Sequence, residues 1–112
     1  MLILLTACTS LQSNQSIIMD VSYHEARKII LQNGWKPAGG MPSYNKIGAL
    51  AHHFRDIGYA EVQDCAGDGL SPCLFYFQNA KGEYLKIGTV GEDEGKLLYP
   101  RVVYAAIRDK ID

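Results

Sequence analysis

The sequence predicts an α+β fold in which two N-terminal helices pack on one face of a roughly four-stranded antiparallel sheet, braced by one disulfide. Three observations predict it. Apolar residues recur at helical spacing up to about residue 57 and alternate with a period of two after it. Cys65 and Cys73 bracket a turn-rich loop where the most apolar alternating run begins. Because the helices come first and the strands follow, an antiparallel sheet is favoured over a parallel one.

The composition indicates one small globular domain. A chain of 112 residues buries on folding about two-thirds of the surface that the unfolded chain exposes. Its apolar content of 47% and charged content of 21% are ordinary for such a domain. The net charge of -1 gives no electrostatic footprint for DNA, RNA or an anionic membrane. Nucleic-acid binding is therefore disfavoured.

The first eight residues end in Leu5-Thr6-Ala7-Cys8, which resembles the bacterial lipobox that precedes a lipidated cysteine. We predict a lipoprotein-type signal over residues 1–8, a tether over 9–20 and one α+β domain over 21–112. Thr9, in place of Asp, resembles lipoproteins that are sorted to the outer membrane, so the predicted location is the periplasm with an outer-membrane anchor. This signal is truncated, since it has no Lys or Arg and is shorter than the usual apolar region. A short apolar strand or a frayed end is the alternative.

The cysteine count supports export. If Cys8 takes a lipid, Cys65 and Cys73 remain as an even pair, and disulfides persist in the periplasm. Closing a loop of this length contributes about 2.5 kcal/mol in the chain-entropy model. Free or redox-active thiols are the alternative, although the spacing is not Cys-x-x-Cys. Strict alternation puts Cys65 on the face opposite Val62, so a bulge or the strand end must turn it towards Cys73.

Two helices are predicted in the first half of the chain. Ser22-Tyr23-His24-Glu25 has the pattern of a capping box, and residues 23–33 present one apolar face before Gly34, which suits a left-handed cap. Trp35 is predicted to fill the core under the helix end. Apolar residues from Ile47 to Ile57 predict a second helix over about 44–57.

Four strands are predicted after Gly58, at 59–64, 73–78, 84–90 and 97–107, with 102–107 the part that pairs. The tetrapeptide Asn79-Ala80-Lys81-Gly82 suits a type I turn followed by a left-handed glycine. This turn sets a register in which Asn79 pairs with Glu83 and Cys73 with Thr89. The register collects Phe75, Phe77, Leu85 and Ile87 on one face, and a slip of one residue would mix the two faces.

No motif for chemistry or metal binding stands out. The possible metal ligands in the sequence are His52, His53, Asp64 and Asp68. Adjacent histidines on a helix, however, point about 100° apart, and the loop lacks the pattern of an EF-hand. Glu92, Asp93 and Glu94 are read as a solvated hairpin tip. There is no Gly-x-Ser-x-Gly elbow. We predict no metal, no cofactor and no enzymatic activity, while paired carboxylates leave a small envelope enzyme open.

One sheet face is predicted to bind a partner, because tyrosine is enriched where proteins dock. The predicted binding residues are Tyr76, Gln78, Tyr84, Lys86 and Tyr104. Two alternatives remain open. A third layer covers this face, or the tyrosines stabilise the sheet through cross-strand pairs.

The chain resembles a group of small secreted or lipoprotein domains of Gram-negative bacteria. The resemblance is carried by Gly34-Trp35-Lys36-Pro37, the loop from Cys65 to Cys73, Gly82-Glu83-Tyr84-Leu85 and Thr89-Val90-Gly91-Glu92. It implies export and an α+β fold. It implies no activity, so no functional residue is carried over from it.

The predicted function is a non-enzymatic cell-envelope lipoprotein that binds a protein partner, as an inhibitor, an immunity factor or an assembly accessory. The first alternative is a module that binds a small ligand or a cell-wall fragment in a pocket between Trp35 and the sheet. The second alternative is the small envelope enzyme.

Overall fold

The computed structural model describes residues 15–38, 48–67, 69–95 and 97–111. The predicted lipidation site Cys8, the first part of the tether, residues 44–47 of the second predicted helix and Asp68 lie outside the described residues. In chain order the elements are a 3-10 helix Gln15–Ile18, helix α1 Tyr23–Gln32, strand β1 Lys36–Pro37, helix α2 Ala49–Asp56, strand β2 Val62–Cys65, strand β3 Cys73–Gln78, strand β4 Tyr84–Val90 and strand β5 Arg101–Arg108.

All strand pairs of the single sheet are antiparallel. β3 pairs with β4, which pairs with β5, and both β1 and β2 pair with the other edge of β3. The predicted α+β class and antiparallel sheet are confirmed. The strand number and the helix placement were wrong, because β1 makes a fifth strand and lies between the two helices. A strand of two residues is too short to show a hydrophobic periodicity, so the sequence did not predict that Lys36 and Pro37 pair with Gln78 and Phe77.

The β3–β4 hairpin has the predicted register. Cys73 lies opposite Thr89, and Gln78 lies opposite Tyr84. The Asn79 N–H donates to the Glu83 carbonyl over 3.0 Å, and Gly82 has a φ of +85°. The Asn79 side-chain oxygen also accepts from the Glu83 N–H at 2.9 Å. A local turn signal therefore determines how two core strands align.

The Cys65–Cys73 disulfide is formed as predicted. The register of β2 against β3 shifts between Val62 and Asp64, and this bulge brings Cys65 directly opposite Cys73, with 4.1 Å between their Cα atoms. The Ala66 N–H donates to the Pro72 carbonyl over 2.9 Å, which closes the base of the loop.

Helix α1 begins and ends close to its predicted bounds, with Gly34 at a φ of +91° after it. The predicted capping box is absent, because the Ser22 side chain makes no capping hydrogen bond. The first helical N–H, that of Tyr23, donates instead to the Pro100 carbonyl over 2.8 Å. Pro100, the residue before β5, thus satisfies one of the free N–H groups at the start of the helix.

The core lies between the helices and one face of the sheet. The ring of Tyr23 stacks on Phe75 with 3.9 Å between centroids, and Phe54 meets Phe75 edge-on at 5.2 Å. Trp35 is buried, as predicted. Ile18, within the segment predicted as tether, is also fully buried. No helix in the described ranges has both the length and the apolar character required to cross a membrane.

Candidate docking surface

The predicted binding residues do not form one exposed face. Tyr76 is fully buried, whereas Tyr104 is 41% exposed. Gln78, Tyr84 and Lys86 are half-buried, and the Lys86 ammonium lies 6.0 Å from the centroid of the Tyr76 ring. Because its side chain is out of reach of a partner, Tyr76 cannot belong to a docking surface. A binding role for the other four residues stays a prediction.

Most exposed apolar residues lie in the disulfide loop, in the β4–β5 connection and in the adjoining ends of β3 and β5. In the described part of the chain, ten large apolar side chains are exposed. Three of them lie elsewhere, at Ile17, Leu31 and Ile57. The other seven define what we call the loop-end surface: Leu70, Leu74, Leu97, Leu98, Tyr99, Val103 and Tyr104.

One part of the loop-end surface is a groove of about 370 Å³ beside the disulfide, which we call the disulfide groove. The cystine and Pro72 line it together with Leu74, Gly88 and Val103. Gly88 is needed for the close approach of the neighbouring strand, since a Cβ there would lie 3.1 Å from the Cβ of Tyr104. Its lining is mostly apolar, with Asp64 as the charged residue.

A second groove, of about 350 Å³, lies next to the first and shares Val90 with it. We call it the leucine groove, because Leu70, Leu97 and Leu98 line it together with Tyr99. Leu97 is 95% exposed. The two grooves therefore meet at Val90.

Hydrogen bonds tie the two loops of this surface together. The Gly91 N–H donates to the Leu70 carbonyl over 2.7 Å, and the Ser71 hydroxyl donates to the Glu92 carboxylate. Gly91 has a φ of +111°, and a Cβ there would lie 2.8 Å from the Tyr99 carbonyl oxygen. The Glu94 N–H donates to the Leu98 carbonyl over 2.7 Å. The apolar residues are thus carried by loops that are bonded to each other.

A buried ion pair lies under the helices. Glu61 is fully buried and accepts from the Tyr23 hydroxyl at 2.7 Å and from the Arg27 Nε at 2.6 Å. Burial raises the pKa of Tyr23 well above its ordinary value, and the nearby Glu61 carboxylate raises it further. Burial lowers the pKa of Arg27, but the hydrogen bond and charge of Glu61 outweigh this and leave it raised. Tyr23 therefore stays protonated and Arg27 stays charged at neutral pH.

A second polar cluster, which we call the histidine clamp, consists of His24, Asp93 and His53. The Asp93 carboxylate accepts from His24 Nε2 at 2.8 Å and from His53 Nε2 at 2.7 Å. Because an ionised carboxylate only accepts, both Nε2 atoms carry protons, and a neutral His24 then accepts the Tyr59 hydroxyl at Nδ1 over 2.6 Å. Burial raises the pKa of Asp93, but the two histidine hydrogen bonds outweigh it and lower the pKa. The clamp joins both helices to the connection that carries the leucine groove.

The Tyr59 side chain joins the two polar clusters, since its hydroxyl bonds to His24 and its ring lies next to Arg27. The Arg27 guanidinium lies 4.1 Å from the centroid of the Tyr59 ring. Burial raises the pKa of Tyr59, so its phenol stays protonated and is a poor nucleophile. In the ranges that the structure describes, no three His, Cys, Asp or Glu side chains are arranged to hold a metal ion. The sequence did not predict the histidine clamp, because His24, His53 and Asp93 come from three distant segments.

The ligand pocket predicted beside Trp35 is present only in part. A groove of about 350 Å³ lies next to that residue and is lined by Gly34, Lys36, Pro37, Gln78, Asn79 and Ala80. Trp35 itself is 1% exposed and does not line the groove. The tryptophan therefore offers no stacking platform to a ligand.

Comparison with known proteins adds no relative to this picture. No family model matches the chain, and searches of curated proteins and of solved structures find no match. The resemblance to small secreted domains of Gram-negative bacteria stays a prediction, and function is argued from the geometry.

Proposed function

We propose that this protein is a non-enzymatic binding module of the bacterial cell envelope that docks a protein partner on the loop-end surface. The observation that carries the proposal is that six of the seven exposed apolar side chains of this surface line two grooves that share Val90. Soluble monomers rarely expose contiguous apolar patches larger than a few hundred Å², and larger ones mark interaction sites. A partner that covers this surface would remove the side chains from water.

The surface is well suited to docking because it is held in shape before a partner arrives. The disulfide fixes one loop, the bond from Gly91 to Leu70 joins it to the next, and the histidine clamp anchors that connection to the helices. A preorganised surface loses less conformational entropy on binding than a flexible one. More of the gain from apolar burial is then expressed as affinity.

The envelope location is part of the proposal. The cystine supports it, since disulfides persist in oxidising compartments. Lipid attachment at Cys8 rests on the lipobox pattern alone. An anchored inhibitor, immunity factor or assembly accessory would each use a surface of this kind.

A small-ligand binder is the second candidate, and two observations favour it. The disulfide groove, at about 370 Å³, falls within the range of roughly 300–1,000 Å³ that is usual for ligand sites. Thr89, which also lines the groove, has a buried hydroxyl with no hydrogen-bond partner among the described residues. A ligand with an apolar body would fill the groove, and one polar atom on it would pair with the Thr89 hydroxyl.

Affinity capture from envelope extracts tests the proposal. We expect the tagged protein to retain one stoichiometric partner, and the double variant Leu97→Ser/Leu98→Ser to lose it. The matched control, Leu31→Ser/Ile57→Ser, removes two exposed apolar side chains from elsewhere and should retain the partner. Equal capture by both variants would refute docking on the loop-end surface. Thermal stabilisation by muropeptides, without any protein partner, would favour the second candidate.

A further inference from the structure

The rim of the loop-end surface is acidic. Asp64 is exposed and lines the disulfide groove, and Glu92 and Glu94 are exposed on the connection beside the leucine groove. Arg101 lines the leucine groove, but its guanidinium is shared with Asp20 at 3.4 Å. The described residues of segments 64–73 and 90–101 include four acidic and one basic, a net charge of -3 in a chain whose total is -1. Negative charge is thus concentrated where the apolar residues are exposed.

This charge discriminates between possible occupants. A second copy of the chain would bring the same acidic rim against the first, and like charges across an interface oppose association. An anionic bilayer or a nucleic acid would be repelled for the same reason. A positively charged protein would be attracted, and its association would be accelerated.

The shape of the surface adds a second requirement. Its two grooves, about 370 and 350 Å³, share Val90 and are lined mainly by apolar residues. Interfaces are typically held by a few bulky side chains that fill such pockets, with polar and charged contacts around them. The occupant must therefore be apolar at its centre and basic at its edge.

We infer that the partner is a protein segment that inserts bulky apolar side chains into the two grooves and presents lysine or arginine to Asp64, Glu92 and Glu94. This inference rests on the proposed function, because it names the chemistry of the partner that the loop-end surface docks. The basic edge selects the partner, and the apolar centre holds it.

The test uses two fluorescein-labelled 14-residue peptides, one of leucine and lysine and one in which every lysine is replaced by glutamate. Binding is measured by fluorescence anisotropy at 50 and 300 mM NaCl. The neutralised variant Asp64→Asn/Glu92→Gln/Glu94→Gln keeps oxygen atoms that accept from Cys65 N–H and Ser71. The control Glu25→Gln/Glu83→Gln/Asp109→Asn changes the net charge equally but at other places. The variant Leu97→Ser/Leu98→Ser removes apolar surface.

We expect the leucine–lysine peptide to bind the wild type and the control equally, and the neutralised variant about tenfold more weakly. The higher salt concentration should weaken wild-type binding and reduce the difference between variants. The leucine–glutamate peptide should bind at least about tenfold more weakly than the leucine–lysine peptide.

The outcomes separate the inference from the proposed function. If both peptides bind alike and only the leucine variant loses them, the docking surface stands and the basic partner is refuted. If the leucine variant binds the leucine–lysine peptide as tightly as the wild type does, both fail. Binding of neither peptide also overturns the inference, and the capture experiment then decides the proposed function independently.

Discussion

We expect Glu61→Gln, which removes the charge of Glu61, to lower the free energy of unfolding strongly. Glu61 is fully buried and its carboxylate accepts from Tyr23 and twice from Arg27, whose side chain is 19% exposed. Glu61→Gln keeps the shape and an acceptor but leaves the guanidinium without its counter-charge. Breaking a buried pair in this way costs about 3–5 kcal/mol. We take the lower end, about 3 kcal/mol, because water reaches part of Arg27.

Urea unfolding measures this cost. For a domain of this size, a loss of about 3 kcal/mol corresponds to a fall of about 2 M in the urea midpoint at a slope near 1.5 kcal/mol/M. The matched control is Glu25→Gln, which breaks a pair with Lys28 whose two side chains are 62% and 67% exposed. Exposed pairs contribute at most about 1 kcal/mol, so its midpoint should hardly move.

A second variant tests the mechanism. Arg27→Met/Glu61→Met removes both charges together, and replacing a whole buried pair by apolar groups is often nearly neutral. We therefore expect the double variant to be more stable than Glu61→Gln. If the free energies of unfolding of Glu61→Gln and Glu25→Gln agree within about 0.5 kcal/mol, the Arg27–Glu61 pair does not stabilise the fold, and the reasoning is refuted.

Three further predictions concern the loop end of the protein. Gly91→Ala should lower the free energy of unfolding in urea by at least about 2 kcal/mol, because φ is +111° and the new Cβ would lie 2.8 Å from a carbonyl oxygen. The control Gly67→Ala places a Cβ in open space and should change the stability little. Cys65→Ser/Cys73→Ser should cost about 2–4 kcal/mol by the same assay, and an equal stability would show that the cystine is no brace. The pKa of Asp93 in the folded protein lies below its ordinary value of 3.8, so the stabilisation from its ionised carboxylate is present above about pH 4 and is lost as the pH falls through the folded pKa. Between pH 6 and pH 3, Asp93→Asn should therefore lose less stability than the wild type. Equal losses would show that Asp93 is not the group responsible.

Local signals predicted those elements whose geometry is set locally. The β3–β4 register followed from four turn residues, since Asn79 and Gly82 determine the pairing through their own hydrogen bonds and backbone angles. The end of α1 followed from Gly34 in the same way. The capping box was predicted from a local pattern but is absent, because the Ser22 side chain makes no capping hydrogen bond; the contact that the sequence did not predict at this end is the bond from the Tyr23 N–H to Pro100.

The site was harder to predict because its members are distant in sequence. Arg27 and Glu61 are 34 positions apart, and no periodicity links a helix to the residue before a strand. Leu70, Leu97 and Leu98 lie in two loops, and the apolar character of residues 97–99 predicts a strand there. Only the folded connection shows that they face water. One signal was available, namely that Leu97-Leu98-Tyr99 breaks the two-residue alternation just before Pro100.

The contact between the start of α1 and the start of β5 also bears on when the protein can fold. Val102 donates to Val21 and accepts from Asp20, and Pro100 accepts from Tyr23, so the first helix is joined to the last strand across nearly the whole chain. Contacts between such distant segments are formed late and slow the folding reaction. A chain that emerges N-terminus first cannot complete this pairing until its last strand is free. We therefore expect the domain to close only after residues 101–108 are free to pair with β4 and with the segment before α1.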